Sequence, residues 1–183
     1  LLERATFGAD AALIEQVARD GTDAWLARQF AMAPSRHVPI VQRYLDEYGF
    51  DVNADPPPGT FRRFAWWERA LTAPDQLRQR VAYALTQIFV VSDNVDAIAI
   101  DPLALSSYYD TLLEHAFGNF RDLLRAVTLH PAMGVYLSHV NNARADPAAM
   151  TFPDENYARE VMQLFTIGLY ELEQDGSRVL AGS

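Results

Sequence analysis

At 183 residues, 50% of them apolar and 21% charged, the chain is long enough to bury a core and too apolar to be disordered. Its net charge of -9 argues against a nucleic-acid partner, which normally requires a basic face; Arg62, Arg63 and Arg69 cluster, but Glu68 sits among them. With no cysteine, and with all 15 basic residues arginine, thiol catalysis, disulfides, thiolate metal sites and lysine Schiff bases are excluded within this chain.

Helical periodicity runs through nearly every segment, and no convincing strand alternation is present. Asp10 to Asp20 carries Leu13, Ile14 and Val17 on one face and stops at Gly21. Thr22 reads as the N-cap of a helix to Met32 that buries Trp25, Leu26 and Phe30. Val38 to Tyr48 repeats the pattern, with Ile40, Val41, Tyr44, Leu45 and Tyr48 inward and Gly49 as its stop. The DVNADPPPGT stretch, with three consecutive prolines, is a surface loop or a lid. Phe61 to Leu71 bears an aromatic stripe (Phe61, Phe64, Trp66, Trp67), read as core in preference to a ligand platform.

Ala73-Pro74-Asp75 opens a helix to Val91 with a charged beginning, Gln76 to Arg80, and an apolar end that reads as the central core helix. No apolar run reaches the roughly 20 residues that cross a bilayer. SDNVDAIAID is a second acidic loop; its Asp93, Asn94 and Asp96 suggest calcium, but the glycine and distal glutamate of an EF-hand are missing. Asp101-Pro102 caps a helix to Phe117, and Asn119 caps Phe120 to Leu129. His130-Pro131 then breaks the chain, because the residue before proline is pushed out of helical geometry, and Ala132 to His139 continues as helix.

His130 thus stands at a junction between helices, where its side chain can fix the turn or meet a ligand. His130 and His139 do not form the i, i+4 histidine pair of a zinc helix, and no metal ligand set is assigned. After the polar loop Asn141 to Phe152, Pro153-Asp154-Glu155 signals a helix from Asp154 to Ile167, acids leading. Tyr157, Ala158, Val161, Met162, Leu164 and Phe165 form its apolar face, and Asn156, Arg159, Glu160 and Gln163 the opposite stripe. That stripe is either a solvated face or a site. As a site, His130, Glu155, Arg159 and Glu160 are the catalytic candidates and Asn156, Gln163 and Asn141 the ligand-binding ones. LEQDGSRV closes the chain as a turn between short extended pieces.

The segments RATFG, PDQLRQRVAYALTQIFVVSDN, FGNFRDLL, VTLHPAMGVYLSH and PDENYAREVMQLFTIGLYEL resemble the bacterial domain-of-unknown-function family 1800, nearly end to end. Val161 stands where leucine is expected. The resemblance implies a mainly helical bacterial protein, often exported and often encoded beside a second exported family. It also implies a longer full-length protein, but it supplies no reaction and no cofactor.

The expectation is therefore one all-α domain over residues 1–183, an irregular bundle of roughly eight helices with two long loops, forming the N-terminal portion of an exported protein. Its expected compartment is periplasmic or extracellular. No signal peptide is visible, since the chain opens on LLERATFGAD. Two functions compete: a helical binding or scaffolding module serving an exported partner, and a hydrolytic or metal-assisted enzyme domain built on His130 and the Glu155-Arg159-Glu160 stripe. No GxSxG elbow, HExxH, phosphate loop or dinucleotide fingerprint is present, which favours the first.

Overall fold

Two helix starts in this chain are set by a local side chain that satisfies an open N–H group of the first turn. Asp10 accepts from Leu13 N at 2.7 Å and opens α2 (Ala11–Asp20), which follows the short α1 (Leu2–Ala5). Asn119 accepts from Arg121 N at 2.9 Å and opens α9 (Phe120–Leu129). Between them lie α3 (Thr22–Ala31), α4 (Val38–Tyr48), a 3-10 turn (Pro58–Thr60), α5 (Phe61–Thr72), α6 (Gln76–Thr86), α7 (Asp96–Ala99) and α8 (Ala104–His115). His130 leaves helical geometry with ψ 128, and α10 (Pro131–Tyr136) follows, shorter than expected at its C-terminal end. The computed structural model describes residues 1–179 and is all-α, with no named strand among the described residues.

The chain gathers into two compact units, Leu1–Tyr136 and a second that begins at Leu137. In the first, α4 packs on α5, α6 on α8 and α8 on α9. Ile40, Val41, Phe61 and Ala65 form one apolar cluster, with Tyr44, Leu45 and Leu103 against it. Leu112, Leu113, Leu123, Val127 and Met133 are buried along α8, α9 and α10. Fully burying such a side chain contributes about 1.5–3 kcal/mol. Gly59 is required by space alone: a Cβ there would stand 2.5 Å from the carbonyl oxygen of Ala99.

Several periodicity expectations fail at this level. Ile14, Phe30, Tyr48 and Trp67 are exposed, not inward. Helix α6 ends at Thr86, and Ile88 and Val90 of its supposed apolar extension are exposed. Its polar beginning is what the fold buries: Asp75, Gln76, Arg78 and Gln79 all lie inside. They are inside because each finds backbone partners. Gln76 Oε1 accepts from Phe7 N at 3.0 Å, while its amide donates to Ala73 O at 2.9 Å. Arg78 donates to Leu113 O at 2.9 Å and Met32 O at 3.1 Å, with its guanidinium 4.5 Å from the Phe117 ring centroid. Gln29 of α3 completes the hub, accepting from Leu77 N and donating to Pro74 O. Burying a polar group is tolerable only when its hydrogen bonds are replaced in this way.

The second unit is built on loops. Asn142 and Asp154 exchange two hydrogen bonds of 2.7 and 2.8 Å that close the segment between them, and Asp146 pairs with Thr151 inside it. Helix α11 (Asn156–Met162) starts later than the acids Asp154 and Glu155 suggest, with Asp154 accepting from Asn156 N at 2.8 Å. It does not continue regularly to Ile167. Gln163–Ile167 is a π turn, in which Gly168 N reaches back to Gln163 O at 2.7 Å and the Thr166 hydroxyl bonds Val161 O. Beyond it, Leu172 and Arg178 bridge across a turn, as the LEQDGSRV stretch predicts.

Candidate functional site

The segment joining α3 to α4 enters the interior of the first unit, so its backbone must be paired there. Asp75 Oδ2 accepts from Ser35 N at 2.9 Å, and Gln79 Nε2 donates to Ser35 O at 3.0 Å. Arg69 donates twice to Arg36 O, at 2.9 and 3.0 Å. From α8, Asp110 accepts from His37 N at 2.6 Å and Val38 N at 3.0 Å, capping α4 from 73 and 72 residues away. Burial pushes the Asp110 carboxyl up, and the two N–H groups draw it back down.

His37 is locked by this arrangement. Because the Gln79 amide donates to Ser35 O, its Oε1 faces the imidazole and accepts from Nε2 at 3.1 Å, leaving the lone pair on Nδ1. Burial lowers the imidazole to about 4, opposed by the Gln79 hydrogen bond, so the ring is neutral at physiological pH. Its face lies 4.4 Å from the ring of Tyr109, whose hydroxyl donates to Gln79 O at 3.1 Å and whose pKa burial raises.

Above this floor is a cavity of about 230 Å3, lined by His37, by Arg62, Arg63, Trp66 and Trp67 of α5, and by Leu105, Ser106 and Tyr109 of α8. Arg62 with Trp66, and Arg63 with Trp67, are one helical turn apart and so share a face. Trp66 is wedged against Phe7 and Tyr83, whereas Trp67, 60% exposed, meets it edge-on at 5.0 Å. Asp93 is bound by both guanidiniums, Arg62 closely and Arg63 at 3.3 Å, through the same oxygen. The Arg62 guanidinium holds the Asp93 carboxyl below its usual range. One carboxylate against two guanidiniums leaves a net positive charge beside the cavity. Two polar atoms there are buried without a hydrogen-bond partner: Ser106 Oγ, in a residue 3% exposed, and Arg62 Nε. The acidic loop thus engages α5 through Asp93, and Asp101 accepts from Leu103 N at 2.8 Å. No group of three or more histidine or acidic side chains able to hold a metal occurs among the described residues.

His130 borders a separate groove of about 650 Å3 with Asp110, Glu114 and His115. Three of these are committed: Asp110 caps α4, Glu114 pairs with Arg36, and His130 Nδ1 accepts from Ala132 N at 3.2 Å while the ring packs 5.1 Å from Tyr108. Burial lowers the His130 imidazole, partly offset by the Ser107 backbone.

The other sequence candidates belong to the second unit. Arg159 pairs with Glu155 at 3.5 Å and with Asn156 Oδ1 at 2.6 Å, in side chains 47% and 81% exposed for Arg159 and Glu155. Glu160 turns away from that trio, with Oε2 buried and unpartnered. Asn141 is exposed with φ 59, and the amide that ties the loop is its neighbour Asn142. Gln163 lies where α11 passes into the π turn, its backbone N–H still bonded to Arg159 O. Sequence reasoning missed His37, Ser106 and Tyr109 altogether. Its one signal for the cavity was RRFAWW, whose arginines and indoles it noted separately.

Fold and cavity together define an all-α protein with an arginine- and tryptophan-lined pocket over a buried polar network. Residues 1–182 match the family described as "Protein of unknown function (DUF1800)", and the chain belongs to that family, as the resemblance implied. No curated protein and no solved structure matches it. No helix among the described residues is long and apolar enough to cross a membrane.

Proposed function

We propose that the chain is a binding domain whose ligand occupies the cavity between α5 and α8. The observation that carries this reading is the pair Arg62 and Arg63, which share the single carboxylate of Asp93 and so leave a positive charge beside a cavity walled by Trp66 and Trp67. Binding is preferred to catalysis here because no nucleophile–base hydrogen bond joins Ser106 and His37. Export, and service to an exported partner, belong to the same proposal and are supported by the family resemblance.

The test is a thermal-shift screen of small polar compounds on the chain and on Trp67→Ala, a change at a side chain that is 60% exposed. Compounds that raise the melting temperature of the parent should fail to raise that of the variant. Equal shifts in both proteins, or none in either, would sink the proposal.

An enzymatic second reading has one observation in its favour, the buried, unpartnered Oε2 of Glu160 in the second unit. A hydrolytic activity found in a substrate screen and abolished by Glu160→Gln would establish it. Activity surviving that substitution would remove Glu160 from consideration.

A further inference from the structure

Resting on the binding reading above, the chemistry of the cavity also defines what it takes. We propose that its ligand is a small monocarboxylate built on a single ring, with a hydroxyl at the end opposite the acid.

Four features converge on that class. Charge comes first: Arg62 and Arg63 share one carboxylate oxygen of Asp93, so the second positive charge is uncompensated, and Arg63, 64% exposed at its side chain, is placed to turn toward a ligand. A guanidinium fork matches a carboxylate with two parallel N–H donors. Shape comes next. The indole of Trp67 is exposed at the cavity and held edge-on by Trp66, which is itself fixed by Phe7 and Tyr83. Such a surface offers a flat ring a stacking face, whether aromatic or the apolar face of a sugar.

Polarity of the inner surface is the third feature. His37 lines the cavity and its Nδ1 carries a lone pair on a neutral ring, so this surface suits a hydroxyl donor and rejects a second anion or an ammonium that would be desolvated there. Size is the fourth. About 230 Å3 is the share of roughly eight water molecules in the liquid, below the 300–1,000 Å3 of pockets for drug-sized ligands, and fits one ring with its substituents. Hydroxylated aromatic acids and hexuronic acids both carry this shared chemistry.

The experiment is an NMR titration of the chain, following the three tryptophan indole N–H resonances. Its probes are 4-hydroxybenzoate, glucuronate, the neutral 4-hydroxybenzamide and the cationic 4-hydroxybenzylamine. Saturable shifts at Trp66 and Trp67, without change at the buried Trp25, are expected for at least one of the two acids. Which acid shifts them distinguishes the aromatic from the sugar source. Binding should weaken about tenfold for the amide and vanish for the amine, and Arg63→Ala should bring the acid to the level of the amide. 4-Hydroxybenzoate should bind more tightly than benzoate, which lacks the hydroxyl from which His37 Nδ1 accepts.

If amide and acid bind alike, or Arg63→Ala changes nothing, the ligand class is overturned while the cavity remains a binding site. If no probe of any charge shifts Trp66 or Trp67 but the thermal-shift screen yields Trp67-dependent hits, the ligand class alone falls. If that screen is empty as well, both readings fall.

Discussion

Lowering the pH probes the buried polar segment through His37. Its imidazole titrates near 6.5 in the unfolded chain and at about 4 in the folded one, because burial penalises the charged ring. Between those values the unfolded state binds the proton and the folded state does not. His37 therefore contributes its full stability above pH 6.5 and loses it progressively as the pH falls toward 4. At 1.36 kcal/mol per pKa unit the total is about 3 kcal/mol. Asp110, raised by burial, works in the opposite direction, and other carboxylates titrate nearby, so the measurement must be a difference. Urea unfolding of the parent and of His37→Gln, at half-unit steps from pH 7.5 to 4, isolates it. The parent's advantage over the variant should shrink by about 1.4 kcal/mol per pH unit between 6 and 4.5. A difference independent of pH would mean that the ring is solvated, and the account of the buried network would be wrong.

Three further outcomes follow from the same structure. Asp110→Ala should destabilise by about 2–4 kcal/mol in the same assay at pH 7, since the N–H groups of His37 and Val38 lose their acceptor inside the fold, and Asp110→Asn by roughly half. Gly59→Ala should cost about 1–3 kcal/mol, because the new Cβ must displace the Ala99 carbonyl, and a melting temperature equal to the parent's would contradict the 2.5 Å approach. Arg159→Ala should change stability by less than about 0.5 kcal/mol, its ion pair with Glu155 being exposed; a loss above 2 kcal/mol would show that the stripe is a structural network after all.

Much of the cavity's chemistry lies in one hexapeptide, RRFAWW, yet only its helical geometry shows that Arg62 stands under Trp66 and Arg63 under Trp67. The other half of the site is not local. Ser106 and Tyr109 come from α8 and His37 from the start of α4, and none carries a spacing that links it to α5. Apart from His130 and Asn141, the candidates chosen from sequence were conspicuous because they stood together on one predicted helix. Proximity along a helix is as common on solvated faces as in sites, and Glu155 and Arg159 prove to be exposed.

By itself the sequence determined the all-α class and most helix limits, because the signals that start and stop a helix act within one turn. Gly21, Gly49, Asn119 and the His130-Pro131 break all act where expected. Tertiary structure alone decided which polar residues go inside. Periodicity assigns polar side chains to solvent, but Asp75, Gln76, Arg78, Gln79 and Asp110 are interior since backbone groups distant in the chain need them: Arg78 meets Leu113 across 35 residues and Asp110 meets His37 across 73. A buried backbone must be paired by whatever side chain the fold delivers, and that delivery is written in no local pattern.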